Sequence, residues 1–301
     1  MIKTFIFTCL ALLAFAANSV LCRLALGEQA IDAASFTVVR LTSGIVTLWI
    51  ILFVSFKCKS IEKPSPITSP QVSSKGSWMA SLLLFVYALC FSFAYVSLDT
   101  GSGALILFAA VQITMILRAV FTGNKLNLAE WIGLLLAFLG FVYLIYPTIS
   151  TPSMLGFILM TIAGIAWGGY TLKGRNSSQP LNDTAYNFLR TSPLLLILLI
   201  LSVNSGYYTS TGVLYAVLSG AIASGIGYTL WYAALSGLSA TQAAVVQLLV
   251  PVIAALGGII LVSEVINQRL VISSVMILGG ILLIMLVSYR QKQLALKIKL
   301  S

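Results

Sequence analysis

The sequence predicts an all-α polytopic membrane protein, with ten transmembrane helices arranged as two inverted five-helix repeats. Three observations carry that prediction. Of the 301 residues, 59% are apolar and only 8% charged, where a soluble domain carries about 25% charged residues. The apolar residues fall in runs of roughly 20, the length a helix needs to cross hydrocarbon. Polar landmarks also recur in the same order in the two halves. Composition excludes some chemistry as well. Histidine is absent, which removes the commonest general base, metal ligand and pH switch together. Cys9, Cys22, Cys58 and Cys90 show neither a metal-binding nor a disulfide spacing, so neither metal nor cofactor is expected.

Charged residues are rare enough to punctuate the spans. Residues 191–263 hold none, which leaves room for three crossings. Between Glu130 and Lys173 only Pro147-Thr148-Ile149-Ser150-Thr151-Pro152 interrupts the apolar run, and two prolines around short polar residues read as a turn. The predicted spans are 3–22, 34–56, 78–97, 102–121, 128–146, 153–172, 184–203, 211–232, 239–262 and 269–288. The first is longer than a signal-peptide core and continues past Asn18-Ser19, so it is read as a retained helix. Only 57–77, with Pro64, Pro66 and Pro70, is a true loop; the other joints are short, which makes sequential helices antiparallel neighbours.

Lysine and arginine favour cytoplasmic loops. With both termini cytoplasmic, the inner side collects Lys3, Lys57, Lys59, Lys63, Lys75, Arg118, Lys125, Lys173, Arg175, Arg190, Arg290, Lys292, Lys297 and Lys299. The outer side keeps Arg23, Arg40 and Arg269, three of the 17. The net charge of +10 is therefore mostly a topology signal, and nucleic acid is not an expected partner. The expected partners are the lipid bilayer and a small-molecule substrate, with the chain a monomer or homodimer.

A shift of 150 lays Arg23 on Lys173, Arg40 on Arg190, and Phe36-Thr37-Val38-Val39-Arg40 on Tyr186-Asn187-Phe188-Leu189-Arg190. A shift of 137 lays Tyr95 on Tyr232, and one of 140 lays Asn127 on Asn267 and Gly140 on Gly280. The halves are 1–147 and 148–301, the second ending in a short basic cytoplasmic tail. Five helices per half is odd, so the second half crosses in the opposite sense. Inverted repeats typify secondary transporters.

Phe188-Leu189-Arg190, Pro251 followed by Ser263-Glu264, and Gly279-Gly280 resemble motifs of the drug/metabolite transporter superfamily, EamA type. Thr100-Gly101-Ser102-Gly103-Ala104-Leu105-Ile106-Leu107-Phe108 and Ala110-Val111-Gln112-Ile113-Thr114-Met115 look like a variant of that family's fourth helix. The resemblance implies a bacterial inner-membrane transporter with a central cavity lined by helices one, three, four, six, eight and nine, and with five and ten as scaffold. The superfamily also makes a lipid-linked-sugar flippase an alternative. The first half departs from the pattern, with Val111 or Thr114 in place of Pro251 and Asn124 in place of Glu264. The two halves are therefore not expected to move equivalently.

Read directly, Tyr87, Phe91 and Tyr95 form one aromatic helix face. Tyr228, Trp231 and Tyr232 form a second, and Trp167 with Tyr170 a third. An interfacial aromatic belt is the plainer reading, above all for Tyr95 and Tyr232 near span ends. Asn18, Gln112, Gln242 and Gln247 are amides inside spans, and each needs a partner, either a neighbouring helix or a substrate. Pro251 deprives the Gln247 carbonyl of its helical donor, and Pro193 does the same to Leu189. Pro193 and Pro251 are thus candidate hinges beside a polar site. Arg40 and Arg190 are either interfacial anchors or charged gate residues at opposite mouths. Gly164-Ile165-Ala166-Trp167-Gly168 and Gly220 with Ser224 read as close-packing steps, with a hinge as the second reading.

An intramembrane enzyme would need histidine or clustered carboxylates, and a channel would need a filter stretch; neither occurs. The sequence points to a secondary transporter of an amino-acid-like or other amphiphilic metabolite, working by alternating access. Every carboxylate (Glu28, Asp32, Glu62, Asp99, Glu130, Asp183, Glu264) falls at a predicted helix end or loop. Facilitated diffusion or exchange is therefore expected over proton coupling.

Overall fold

The computed structural model describes residues 2–61, 75–123, 127–145, 153–174, 177–204, 206–235, 237–238 and 240–300. Helices dominate: α1 (Ile2–Gly27), α2 (Ala33–Ile61), α3 (Trp78–Tyr95), α4 (Thr100–Phe121), α5 (Leu128–Ile145) and α6 (Met154–Gly174). The chain continues through α7 (Pro180–Leu189), α8 (Ser192–Ser202), α9 (Ser210–Leu218), a π-helical stretch (Ser219–Ile226), α10 (Gly227–Leu235), α11 (Ala240–Gln247), α12 (Leu249–Val262) and α13 (Gln268–Leu300). Among the described residues, nine helical segments are long and apolar enough to cross a membrane, and the shorter apolar stretch Leu128–Leu144 of α5 is the tenth. The all-α polytopic reading holds, and the observed bounds lie within about five residues of the predicted ones, except that α13 continues as helix to Leu300, through the basic tail expected after 288. The boundary expected at 147/148 lies outside the described residues.

Three predicted spans are each broken in the middle. The seventh divides into α7 and α8 at Arg190-Thr191, and the ninth into α11 and α12 at Leu248. Each break falls just before a proline, which has no N–H to give the preceding turn. The hydroxyl of Ser192 donates to the Leu189 carbonyl at 2.6 Å, answering the acceptor that Pro193 frees. The eighth span contains the π-helical stretch, whose Ser-Gly-Ala-Ile-Ala-Ser-Gly-Ile sequence gave no sign of it.

Helix starts are fixed by side chains. Asp32 Oδ1 accepts from the backbone of Ala34 and Ser35, and the Ser77 hydroxyl accepts from Ala80 N. Asn127 and Glu130 form a reciprocal capping box at 2.8 and 2.9 Å. The start of α4 is capped from the other half of the chain: Thr100 N and its hydroxyl both donate to Glu264.

The most extensive packing corrects the expectation that sequential helices are neighbours. It joins α5 to α13, α6 to α3 and α4, and α1 to α10 and α12. The first helix of each half thus lies against the third and fourth of the other. Among apolar helices in lipid, close backbone approach at small residues selects partners more than loop length does. Gly164 of α6 meets Ala110 and the Leu107 carbonyl of α4, and Gly133 of α5 meets the Gly280 carbonyl of α13. This crossing arrangement places a centre between the halves.

Candidate functional site

At that centre lies a cavity lined by Phe15, Asn18 and Ser19 of α1, Tyr87 and Phe91 of α3, and Leu107 and Phe108 of α4. Trp167 of α6, Ala223 and Ser224 of the π-helical stretch, Tyr228 of α10 and Gln247 of α11 complete it. Its volume is about 20 Å³, room for a water molecule or two. The aromatic faces read from the sequence meet here in one continuous array. Trp167 stacks on Tyr228 at 5.1 Å and on Tyr170 at 5.3 Å, and lies 4.8 Å from Tyr87. Tyr87 continues to Phe91, and Phe91 to Tyr95. Trp231 meets Phe15 edge-on at 5.8 Å.

Polar groups are threaded through this array. Ser219 Oγ donates to Asn18 Oδ1 at 2.6 Å, and Asn18 Nδ2 donates to the Tyr87 hydroxyl at 3.4 Å. The same hydroxyl accepts from Arg40 Nη2 at 2.9 Å. Of the candidate site residues, Asn18, Tyr87, Phe91, Trp167, Tyr228 and Gln247 line the cavity directly. Tyr95, Tyr170 and Trp231 are buried one layer out; Tyr95 is wholly buried, lying across Gly103 with its hydroxyl donating to the Thr100 carbonyl, rather than at an interface. Gln112 is buried in α4, and its Nε2 has no hydrogen-bond partner among the described residues. The Gln242 side chain lies outside the described residues.

Arg40 departs furthest from expectation. Neither an anchor nor a residue at the mouth, it is 1% exposed, with its guanidinium 4.8 Å over the Phe91 ring and 5.3 Å over Tyr87. Arg190 is half-buried over Trp78 at the helix break. The glycine steps pack closely as read: a Cβ on Gly220 would overlap the Arg40 carbonyl and Ser43 Oγ, and one on Gly168 would meet Thr114 at 3.0 Å.

Polar clusters tie helix ends together at two opposite ends of the bundle. At the α1 C-terminal end, Arg23 lies 3.3 Å from Glu264 and 3.7 Å from Asp99, and donates to the Tyr95 carbonyl. Ser263 has φ 58°, a left-handed conformation uncommon outside glycine, and it folds Glu264 back so that its N–H meets the Gly258 carbonyl. At the opposite end Thr184 donates to the Tyr232 hydroxyl at 3.2 Å. There Asp183 and Asn187 accept from the backbone of Gly76 and Ser77, and Ser177 donates to Asp183. In the sequence Arg23 reads as a topology and repeat landmark, and Phe15, Ser19 and Ser219 carry no signal of a site. The lone carboxylate ending a long uncharged run was the available signal for Glu264.

Comparison with known proteins agrees with this architecture. The EamA-like transporter family model matches twice, over residues 2–146 and 154–286. A Pseudomonas aeruginosa protein, itself described as uncharacterized, is 45% identical over 283 residues, covering 94% of each chain. An uncharacterized transporter of Archaeoglobus fulgidus is 27% identical over 71% of this chain and 77% of its own. The uncharacterized transporter YoaV of Bacillus subtilis is 20% identical over 82% and 85%. A solved crystal structure shares the fold at a TM-score of 0.62 and 19% identity, covering 94% of this chain and 98% of the other. The chain is an integral membrane protein that belongs to the EamA-like transporter family.

Proposed function

We propose that the protein is a secondary transporter that carries a small amphiphilic, amino-acid-like metabolite across the bacterial cytoplasmic membrane by alternating access, both termini lying in the cytoplasm. The observation carrying this reading is the central cavity. It is walled by aromatic rings and amides from both halves, while a different polar cluster closes the bundle on each side. A cavity this small fits an occluded conformation whose rings separate to admit solute. No carboxylate is among its lining residues, which favours facilitated diffusion or exchange over proton coupling.

Proteoliposome counterflow tests the function. Trans-loaded solute should accelerate uptake of its labelled form with no imposed gradient, and accumulation that collapses with a pH gradient would refute uncoupled transport. Orientation is tested with single cysteines in intact cells. An impermeant maleimide should label Glu28→Cys and spare Lys57→Cys, both exposed positions; the native Cys22 is buried and cannot report. The reverse pattern would invert the topology.

A further inference from the structure

We propose that Arg40 is the anion-recognising residue of the transport site, so that the solute carries a carboxylate which pairs with it when the aromatic wall opens. This deepens the proposed function and rests on it. Arg40 is fully buried within the span of α2, where a charge is costly and ordinarily pairs or serves function. Among the described residues its hydrogen bond is Nη2 to the Tyr87 hydroxyl, and Nε and Nη1 have no partner. No ion pair to Arg40 occurs among the described residues. A guanidinium has five N–H donors in a planar fork matched to a carboxylate, and here most of that capacity is unused.

Arg40 also lies directly behind the cavity wall. The two rings that cover the guanidinium, Tyr87 and Phe91, are also lining residues of the cavity, and Asn18 bonds the same Tyr87 hydroxyl. At about 20 Å³ the cavity is too small for a solute as it stands. Any enlargement that moves Tyr87 or Phe91 exposes the unused N–H groups directly behind them. A bound carboxylate would then neutralise the buried Arg40 cation, while Trp167 and Tyr228 receive the apolar part of the solute. Binding an anion thus rewards the open-walled arrangement and leaves the empty carrier covered by rings.

The test uses the full chain in detergent micelles, with thermal stabilisation by four matched probes: 3-phenylpropionate, L-phenylalanine, 3-phenylpropionamide and 2-phenylethylamine. The two carboxylates should stabilise the protein at concentrations at least tenfold below the amide and the amine. Arg40→Gln should weaken the carboxylates about 10- to 100-fold and abolish their advantage over the amide, whereas Arg269→Gln on the scaffold helix should not. Should Arg40→Gln fail to yield a monodisperse protein, Arg40→Lys, which keeps the charge but loses the fork, should weaken the carboxylates about tenfold. A merely structural arginine would shift stability without touching the preference between carboxylate and amide. Equal response to amide and carboxylate, no response to either carboxylate, or unchanged carboxylate binding in the Arg40 variants overturns the assignment; so does sodium chloride acting as well as the carboxylates. Counterflow of the amide or amine would leave a transporter standing and remove only the anion. A carboxylate that binds through Arg40 but never crosses proteoliposomes would remove the transporter and keep the site.

Discussion

Arg40 and Arg190 stand at equivalent positions in the two halves, and their surroundings have diverged. Around Arg40 the helix is continuous, and the side chain is sealed under Tyr87 and Phe91 against the central cavity. Around Arg190 the helix stops and restarts, and the side chain lies half-buried on Trp78. The residue three positions on explains the difference in backbone: Ser43 in the first half, Pro193 in the second. Ser43 keeps α2 unbroken and donates to the Arg40 carbonyl at 3.0 Å. Pro193 withdraws a donor and makes a joint. Duplication supplied two similar helices, and one proline separates a continuous helix from a broken one.

Moving the joint to the wrong half should have the largest effect. Ser43→Pro is expected to destabilise the fold by about 3 kcal/mol, read as loss of monodisperse protein on gel filtration and a lowered melting temperature. Gly220→Ala should cost a comparable ~3 kcal/mol, because the new methyl would overlap the Arg40 carbonyl, which belongs to backbone and cannot rotate away. Gly279→Ala, whose methyl would meet nothing within 4 Å, is the neutral comparison. Equal tolerance of the two alanines would mean that the contact between α2 and the π-helical stretch is looser than described.

The next effect concerns the shared site rather than the joint. Trp167→Ala removes the ring that touches Tyr87, Tyr170 and Tyr228 at once. It should weaken solute binding about 30-fold, and Gln247→Ala about tenfold, with folding retained in both. Wild-type transport by both variants at normal expression would return these residues to packing.

Healing the joint should cost speed and not affinity. Pro193→Ala restores the missing N–H, so α7 and α8 can join. Counterflow is expected to slow about fivefold with half-saturation unchanged, on the view that hinges absorb backbone rotation during closure. A changed half-saturation with normal speed would place Pro193 at the solute. The smallest effect should come from Glu264→Gln. The amide can still accept from Thr100 but loses the charge facing Arg23, a loss of about 1 kcal/mol at this partly buried pair. Maleimide labelling near that mouth should rise accordingly.

Much of the candidate site was legible because the residue types that line the cavity are conspicuous in an apolar chain. Asn18, Tyr87, Phe91, Trp167, Tyr228 and Gln247 stood out as polar or aromatic groups within spans, and all six line one cavity. Phe15 and Leu107 line it too, but nothing in the sequence separates them from dozens of similar residues. Arg40 was noticed and misplaced, because the choice between snorkelling and burial depends on which rings a neighbouring helix brings.

The sequence by itself determined that the chain lives in a bilayer, how many times it crosses, and where two of its helices break. Those properties follow from local physics: hydrocarbon thickness sets span length, and proline removes a specific hydrogen bond. Only the tertiary structure decided that α1 lies against α10 and α12 while α6 lies against α3 and α4. It also decided that Glu264 caps a helix in the other half and that Arg40 faces inward with no counterion among the described residues. In lipid every apolar face is equally content, so partner choice rests on close approach at small residues and on a few polar groups finding one another. Both are properties of surfaces meeting across the fold, and no single helix contains them.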